Sequence, residues 1–145
     1  MDNLTLAEKL SKSSVTNKHF GGVFASDKIP MPPGVPVSFV VNTDPADKPG
    51  QHWLGLYVKS PSHIYYFDSY SFPPNENLRQ YLTNFSKVIQ NRTTFQSLES
   101  SVCGYYVMYF IYMASLGYSM YQIETNLKRQ RNPDRYVVRF CNKFF

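Results

Sequence analysis

The chain has 145 residues, with 43% hydrophobic and 17% charged residues, which suits one globular domain and excludes a disordered protein. Its two cysteines are too few for a disulfide-stapled secreted scaffold, and residues 1–14 lack the apolar core of a signal peptide. The most apolar run, 105–116, is too short to span a membrane. A net charge of +5 permits an acidic partner, although a solvated basic face over 128–139 is the simpler interpretation.

The first half of the chain predicts a short helix followed by strands. Apolar residues at 4, 6, 7 and 10 indicate the helix, a loop is expected around 19–22, and the prolines of 30–36 exclude a helix or central strand. Polar residues over 43–50 predict a turn-rich loop. Residues rich in β-formers predict three strands, the last two forming an antiparallel hairpin: 37–41, 52–58 and 63–68.

The second half is predominantly helical. Asn75 is a suitable cap for a helix over 76–82, and a strand is expected within 87–96. The helix predicted over 102–116 is apolar on nearly every face, which indicates burial at the centre of the domain, and Gly117 can end it. Two further helices are expected, over 120–129 and 135–142. A buried helix packed on a hairpin-built sheet gives an α+β domain over residues 1–145.

His52 and Asp68 lie where the predicted hairpin would bring them together. His52 opens the second strand and Asp68 closes the third, 16 residues later. In a hairpin the start of one strand lies beside the end of the next, so we expect the carboxylate to accept the Nδ1 proton of the imidazole. Such a pair fixes the histidine tautomer and stabilises its charged form.

Cys103 is placed at the start of the buried helix. Unpaired N–H groups and the helix dipole favour a thiolate there, and an adjacent imidazolium lowers a cysteine pKa further. Gln96, seven residues earlier, can donate its amide to an oxyanion, with the Cys103 N–H as a second donor. Gly104 leaves room for a substrate backbone, and Trp53 is expected to pack beside the imidazole.

Several short motifs around these residues resemble one group of enzymes. Residues 51–53 (QHW), 65–70 (YYFDSY) and 103–106 (CGYY), together with Gln96, resemble the adenovirus-type maturation cysteine proteases. Their wider clan includes the SUMO- and ubiquitin-like-protein proteases and has the same chain order of His, Asp or Glu, Gln and Cys. Residues 20–24 (FGGVF) and 41–43 (VNT) are also adenovirus-like, so the resemblance covers roughly residues 20–117.

The resemblance is not uniform within that clan. The Gln-to-Cys interval is similar to that of the adenoviral branch, whereas the SUMO-protease branch places an Asp directly before the cysteine, where this chain has Val102. Asp68 matches the SUMO-protease acid, while adenoviral enzymes commonly use Glu. Adenovirus-like proteases of viruses and mobile elements use either acid.

The resemblance implies a papain-like core in rearranged chain order, with a mixed or antiparallel sheet packed on the helix that carries the nucleophile. It implies a cysteine endopeptidase that cleaves near small residues or glycine and processes viral capsid or precursor proteins during virion maturation. The implied catalytic residues are His52, Asp68, Gln96 and Cys103, and the implied substrate-binding residues are Asn42, Gln51, Trp53 and Gly104.

We expect no metal or required cofactor, although adenoviral enzymes are stimulated by DNA and by a short peptide, which the basic C-terminal region makes relevant here. The expected setting is the cytoplasm or nucleus of a host cell, or the virion, with a monomeric, non-secreted and non-membrane protein.

Three alternatives remain open. The same chemistry would serve a SUMO- or ubiquitin-like isopeptidase. Acetyl transfer occurs in bacterial effectors of the clan, which are much longer. The fold could also serve as a non-catalytic binding module, because a lone Cys-Gly pair is usually structural and Asp68 could simply cap a turn.

Overall fold

The computed structural model describes residues 1–43, 52–97 and 101–145. These ranges contain five strands, which are β1 (Phe20–Ala25), β2 (Val37–Asn42), β3 (Trp53–Ser60), β4 (His63–Phe67) and β5 (Lys87–Gln90). They also contain five helices, which are α1 (Asn3–Lys12), α2 (Glu76–Leu82), α3 (Cys103–Ser115), α4 (Met120–Lys128) and α5 (Pro133–Phe144).

The strands form one mixed sheet in the order β1-β2-β3-β4-β5. The inner pairs, β2 with β3 and β3 with β4, are antiparallel, whereas β1 and β5 lie parallel to their neighbours at the two edges. The predicted hairpin is therefore present, with Gly55 opposite Phe67 and Ser60 opposite His63. This register brings the start of β3 and the end of β4 to the same end of the sheet. The predicted α+β fold class is confirmed.

Both faces of the sheet are covered, and α3 lies at the centre of the larger layer. The two apolar clusters follow the alternation of side chains along the strands: one packs with α1, α3, α4 and α5, and the other packs with α2. Nine of the 13 residues of α3 are buried, as its all-round apolar sequence predicts. Gly55 permits close approach of α3, since a Cβ at this position would lie 2.7 Å from Cδ2 of Phe110.

The helix predictions are confirmed in position and in their end signals. The Asn75 side chain accepts from the N–H of Leu78 at the start of α2, and the Asn132 side chain accepts from the N–H of Arg135 at the start of α5. Gly117, with φ of 98°, follows the end of α3. Among the described residues, none of the helices combines the length and apolarity needed to cross a membrane.

One sheet prediction was wrong. The expected loop at 19–22 is the beginning of β1, because parallel pairing with β2 supplies hydrogen bonds that outweigh the poor strand propensity of two glycines. Gly21 packs so closely that a Cβ would lie 2.4 Å from Cε1 of Phe39. The strand expected within 87–96 is present as β5 and ends at Gln90. The segment after it continues beside Asp68 and Ser69, at the same end of the sheet as the end of β4. Most of the loop predicted over 43–50 lies outside the described residues.

Candidate active site

His52 and Asp68 form a buried pair at the shared end of β3 and β4. His52 directly precedes β3, Asp68 directly follows β4, and Nε2 of the imidazole lies 2.6 Å from Oδ1 of the carboxylate. The side chain of Asp68 is only 2% exposed and that of His52 only 12%. A carboxylate so far removed from water retains its charge only with good partners, so the pairing is strongly favoured.

Two further residues fix the position of Asp68. The backbone N–H of Tyr70 donates to Oδ1 of Asp68 at 2.9 Å. The side chain of Asn91 is bonded to both backbone groups of Asp68, accepting from its N–H at 2.9 Å and donating to its carbonyl at 2.7 Å. The end of β4 is thereby tied to the residue that follows β5, and the carboxylate has little freedom to turn away from His52.

Cys103 occupies the first residue of α3 and bonds to the imidazole. Burial opposes ionisation of the thiol, but hydrogen bonds from His52 and from the backbone N–H of Trp53, the nearby imidazolium charge and the N–H of Gly104 together lower the pKa of Cys103. The residue is 8% exposed, so the sulfur lies at the edge of the core rather than in its centre. This environment favours a thiolate.

The imidazole is correspondingly stabilised in its charged form. Burial alone would lower the pKa of His52, but hydrogen bonds to Asp68 and Cys103 and the charges on both outweigh it and raise the pKa to about 9. Both shifts move the pair toward the thiolate and imidazolium forms. This arrangement resembles the ionised state that cysteine nucleophiles use.

The expected ring nitrogen was wrong. Asp68 is bonded to Nε2 of the imidazole rather than to Nδ1. Sequence spacing predicts that the two side chains meet, but not which edge of the ring faces the carboxylate, since that depends on the side-chain torsions of a residue lying just outside the strand.

Gln96 joins the cluster through Ser69, the residue after Asp68. The Ser69 hydroxyl donates to Oε1 of Gln96 at 2.5 Å, and the Ser69 carbonyl accepts from the N–H groups of Phe95 and Gln96. Gln96 is 3% exposed. Because the hydroxyl identifies and anchors the amide oxygen, the amide NH₂ has a defined position from which to donate.

Two of the predicted substrate-binding residues line a common groove. Asn42 and Trp53 are paired across β2 and β3, and with residues 1–3 they border a groove of about 540 Å³. The indole Nε1 of Trp53 donates to the carbonyl of Met1 at 3.0 Å. The aromatic ring seen against the imidazole is that of Tyr70, with centroids 4.8 Å apart and ring planes inclined by 34°.

The other two substrate-binding predictions fare differently. Gly104 is buried, and a Cβ on it would lie 3.4 Å from Cβ of Met1 and 3.5 Å from Cδ2 of Leu6. The room predicted for a substrate on this side of Gly104 is occupied by the N-terminal segment, because α1 packs on α3. Gln51 lies outside the described residues.

Sequence reasoning missed the residues that hold the cluster together. Ser69 and Tyr70 stand in the quoted motif at 65–70, where an alternation of polar and aromatic residues after a buried strand could have indicated a structured turn. Asn91 carried no signal, because its partner Asp68 is 23 residues away and an asparagine after a strand usually marks an ordinary turn. In the described ranges, His, Cys, Asp and Glu residues form no group of three or more suited to a metal.

Neither a protein-family model nor a curated protein sequence matches this chain. Solved structures do share its fold. One structure of the ASFV pS273R protease has a TM-score of 0.64 and 18% identity, covering 99% of this chain and 66% of that one. A second structure of the same protease has a TM-score of 0.54 and 20% identity over 74% of this chain and 44% of that one.

A bacterial structure is also similar. The central domain of the uncharacterized Lpg1148 protein from Legionella pneumophila has a TM-score of 0.53 and 14% identity, covering 99% of this chain and 94% of that domain. The chain thus spans less than two thirds of either ASFV protease structure. At these identities the likeness establishes a shared α+β fold, one that the ASFV pS273R protease also adopts.

Proposed function

We propose that this protein is a cysteine endopeptidase with Cys103 as nucleophile, His52 as general base and acid, and Asp68 as the group that orients the imidazole. The observation that supports it most is the chain of contacts through His52, which bonds a buried carboxylate on one side and the thiol at the start of α3 on the other. A purely structural cysteine gains nothing from such a partner, since burial alone keeps it neutral.

The proposed reaction proceeds through a thioester. The Cys103 thiolate attacks the scissile carbonyl carbon, and the resulting oxyanion accepts from the Gln96 amide and the Cys103 N–H. His52 donates its proton to the leaving amine as the C–N bond breaks. Water, deprotonated by the same imidazole, then attacks the thioester, releasing the acid and returning the proton to the Cys103–His52 pair.

The proposed substrates are viral capsid or precursor proteins cut near glycine or other small residues during virion maturation. The adenovirus-like motifs support this assignment, as does the fold shared with a viral protease. Asn42 and Trp53 would line the substrate groove. In this proposal the protein acts as a monomer in the host cell or virion and needs no cofactor. DNA or a short peptide would stimulate its activity.

A panel of fluorogenic substrates tests the activity. Peptides with glycine or another small residue before the scissile bond should be cleaved by the wild type, and Cys103→Ala should abolish cleavage. The matched control Cys141→Ala removes the other thiol, which is 2% exposed and donates to the carbonyl of Tyr105, and should retain activity.

The same panel decides between the alternatives if it includes SUMO and ubiquitin conjugates. Turnover restricted to the conjugates would overturn the endopeptidase assignment in favour of an isopeptidase. Equal background rates for the wild type and Cys103→Ala on every substrate would favour a binding module.

A further inference from the structure

The segment that carries Gln96 is held by carboxylates from the C-terminal helices. It leaves the sheet after Gln90, at the end of β5, and reaches Gln96 six residues later. Glu124 of α4 accepts from the backbone N–H groups of Arg92 and Thr93. The segment is therefore fixed near its beginning by α4, and at Gln96 itself by Ser69.

Beyond Gln96 the anchoring residue is Asp134, in the first turn of α5. Its Oδ1 accepts from the hydroxyl of Tyr106 at 2.6 Å, and its Oδ2 accepts from the N–H of Ser97 in a long contact of 3.4 Å. Ser97 directly follows Gln96, and Tyr106 stands one helical turn after Cys103. One carboxylate thus links the two chain segments that supply the proposed oxyanion donors.

The surroundings of Asp134 suit a charged acceptor near the site. It follows Asn132, which caps α5, and Pro133, so its charge lies at the positive end of the helix dipole. The Tyr106 hydroxyl remains protonated and able to donate, because burial and the hydrogen bond to Asp134 raise the pKa of Tyr106. The charge of Asp134 also acts on Tyr70, whose ring lies against the imidazole of His52. Burial raises the pKa of Tyr70, and the charges of Cys103 and Asp134 raise it further.

We propose that Asp134 is a positioning residue that sets the amide of Gln96 relative to the N–H of Cys103 by bonding Ser97 and Tyr106 at once. The inference rests on the proposed function of this site. Both partners are donors, and a carboxylate offers each of them an oxygen, whereas an asparagine would present one NH₂ group to a donor. Asp134→Asn should therefore loosen one of the two links while preserving shape.

Two reactions of the Cys103 thiol distinguish a role of Asp134 in positioning the oxyanion donors from a role in the stability of the fold. Hydrolysis of p-nitrophenyl acetate, an activated ester, passes through an oxyanion, whereas alkylation by iodoacetamide needs only the thiolate. Asp134→Asn is expected to lower the ester kcat by roughly 10- to 10³-fold. Alkylation of Cys103 and the melting temperature should stay close to those of the control Glu76→Gln, an exposed carboxylate on α2.

The outcomes are distinct. A parallel loss of ester hydrolysis and alkylation would show that Asp134 merely supports the fold, and no loss of either would also overturn the proposal. If Asp134→Asn is too unstable to purify, Tyr106→Phe removes one link with little change in volume and should give the same selective loss.

A wild type without activity would refute the proposed function. Amide hydrogen exchange then tests the positioning role of Asp134 independently of activity. Faster exchange of the Gln96 and Ser97 amides in Asp134→Asn, with unchanged exchange in α2, would still support the positioning role. Unchanged exchange at Gln96 and Ser97 would refute it, whatever the activity.

Discussion

The two cysteines are both buried, yet their surroundings act in opposite directions. Burial raises the pKa of Cys141 to about 12, whereas hydrogen bonds and the imidazolium charge overcome burial and lower the pKa of Cys103. Since the thiolate is the reactive form, iodoacetamide at pH 7 should alkylate Cys103 faster than Cys141 by at least about tenfold, as measured by peptide mass mapping. His52→Ala should suppress this difference, and equal rates in the wild type would contradict it.

The pair of Asp68 and His52 predicts the pH dependence of catalysis. The active ion pair exists above the lowered pKa of Cys103 and below the raised pKa of His52, so kcat/KM should fall on the alkaline side near pH 9. Asp68→Asn removes the carboxylate charge, which should shift that alkaline limb to lower pH and reduce the maximum. An unmoved alkaline limb would exclude Asp68 as the group that orients His52.

The raised pKa of His52 also predicts how the stability of the fold depends on pH. A histidine whose folded pKa exceeds its unfolded value stabilises the fold fully below pH 6.5 and loses that contribution as the pH rises toward about 9. Asp68→Asn should therefore reduce the free energy of unfolding at pH 6 by on the order of 1–3 kcal/mol and flatten its decline between pH 6.5 and 9. Urea titrations at several pH values measure both effects.

At the scale of single residues, the sequence predicts which side chains meet better than it predicts which atoms of those side chains face each other. The meeting of His52 and Asp68 follows from the hairpin, because strand register places their ends together. The ring nitrogen that faces Asp68, and the bonds of Asn91 to the backbone of Asp68, depend on side-chain torsions and on a contact across 23 residues. No local pattern encodes either of them.

At the scale of elements, the close packing of β3 against α3 gives a testable prediction. Gly55→Ala would place a methyl group 2.7 Å from Cδ2 of Phe110 and 3.5 Å from Cγ1 of Val107. Overpacking of this kind costs about 1–3 kcal/mol, because the neighbours lie in a filled core. The melting temperature should fall, and activity should fall with it if α3 is pushed away from His52.

Gly34→Ala is the matched control for that substitution. A Cβ at Gly34 meets nothing within 4 Å, so the free energy of unfolding should change by less than about 0.5 kcal/mol. A similar loss for both variants would mean that the glycines matter through the unfolded chain rather than through the approach of α3 to β3.

The helices were predictable because each carries its own signals. Asn75 and Asn132 cap their helices through their own side chains, and α3 is apolar on nearly every face, as expected of a central helix. The edge strand β1 was not predictable, since two glycines argue against a strand and its stability comes from parallel pairing with β2. Non-local pairing of that kind leaves no periodic trace in a six-residue segment.

At the scale of the whole molecule, most of the basic side chains near the C-terminus take no part in the ion pairs found among the described residues. The net charge is +5, and an exposed basic face extends from the end of α4 along α5, comprising Lys128, Arg129, Arg131, Arg135 and Arg139. Among the described residues, the ion pairs involve other side chains, at Lys12, Arg79 and His52. Self-repulsion in such a face is unfavourable, so an anionic partner would stabilise it.

Polyanion binding follows as a prediction for this basic face. Duplex DNA should bind with an affinity that falls steeply with salt, and replacing Arg135 and Arg139 together by glutamine should make the slope of log K against log salt shallower by about 2. Fluorescence anisotropy over a salt series measures the slope. Replacing the exposed Lys18 and Lys28 together by glutamine lowers the net charge by the same amount away from this face, and so controls for a mere change in net charge. If DNA binds to this face and the cleavage rate rises with the fraction bound, the basic face regulates the activity. Binding that does not depend on salt, or an unchanged slope in the double variant, would show that DNA does not bind through this face.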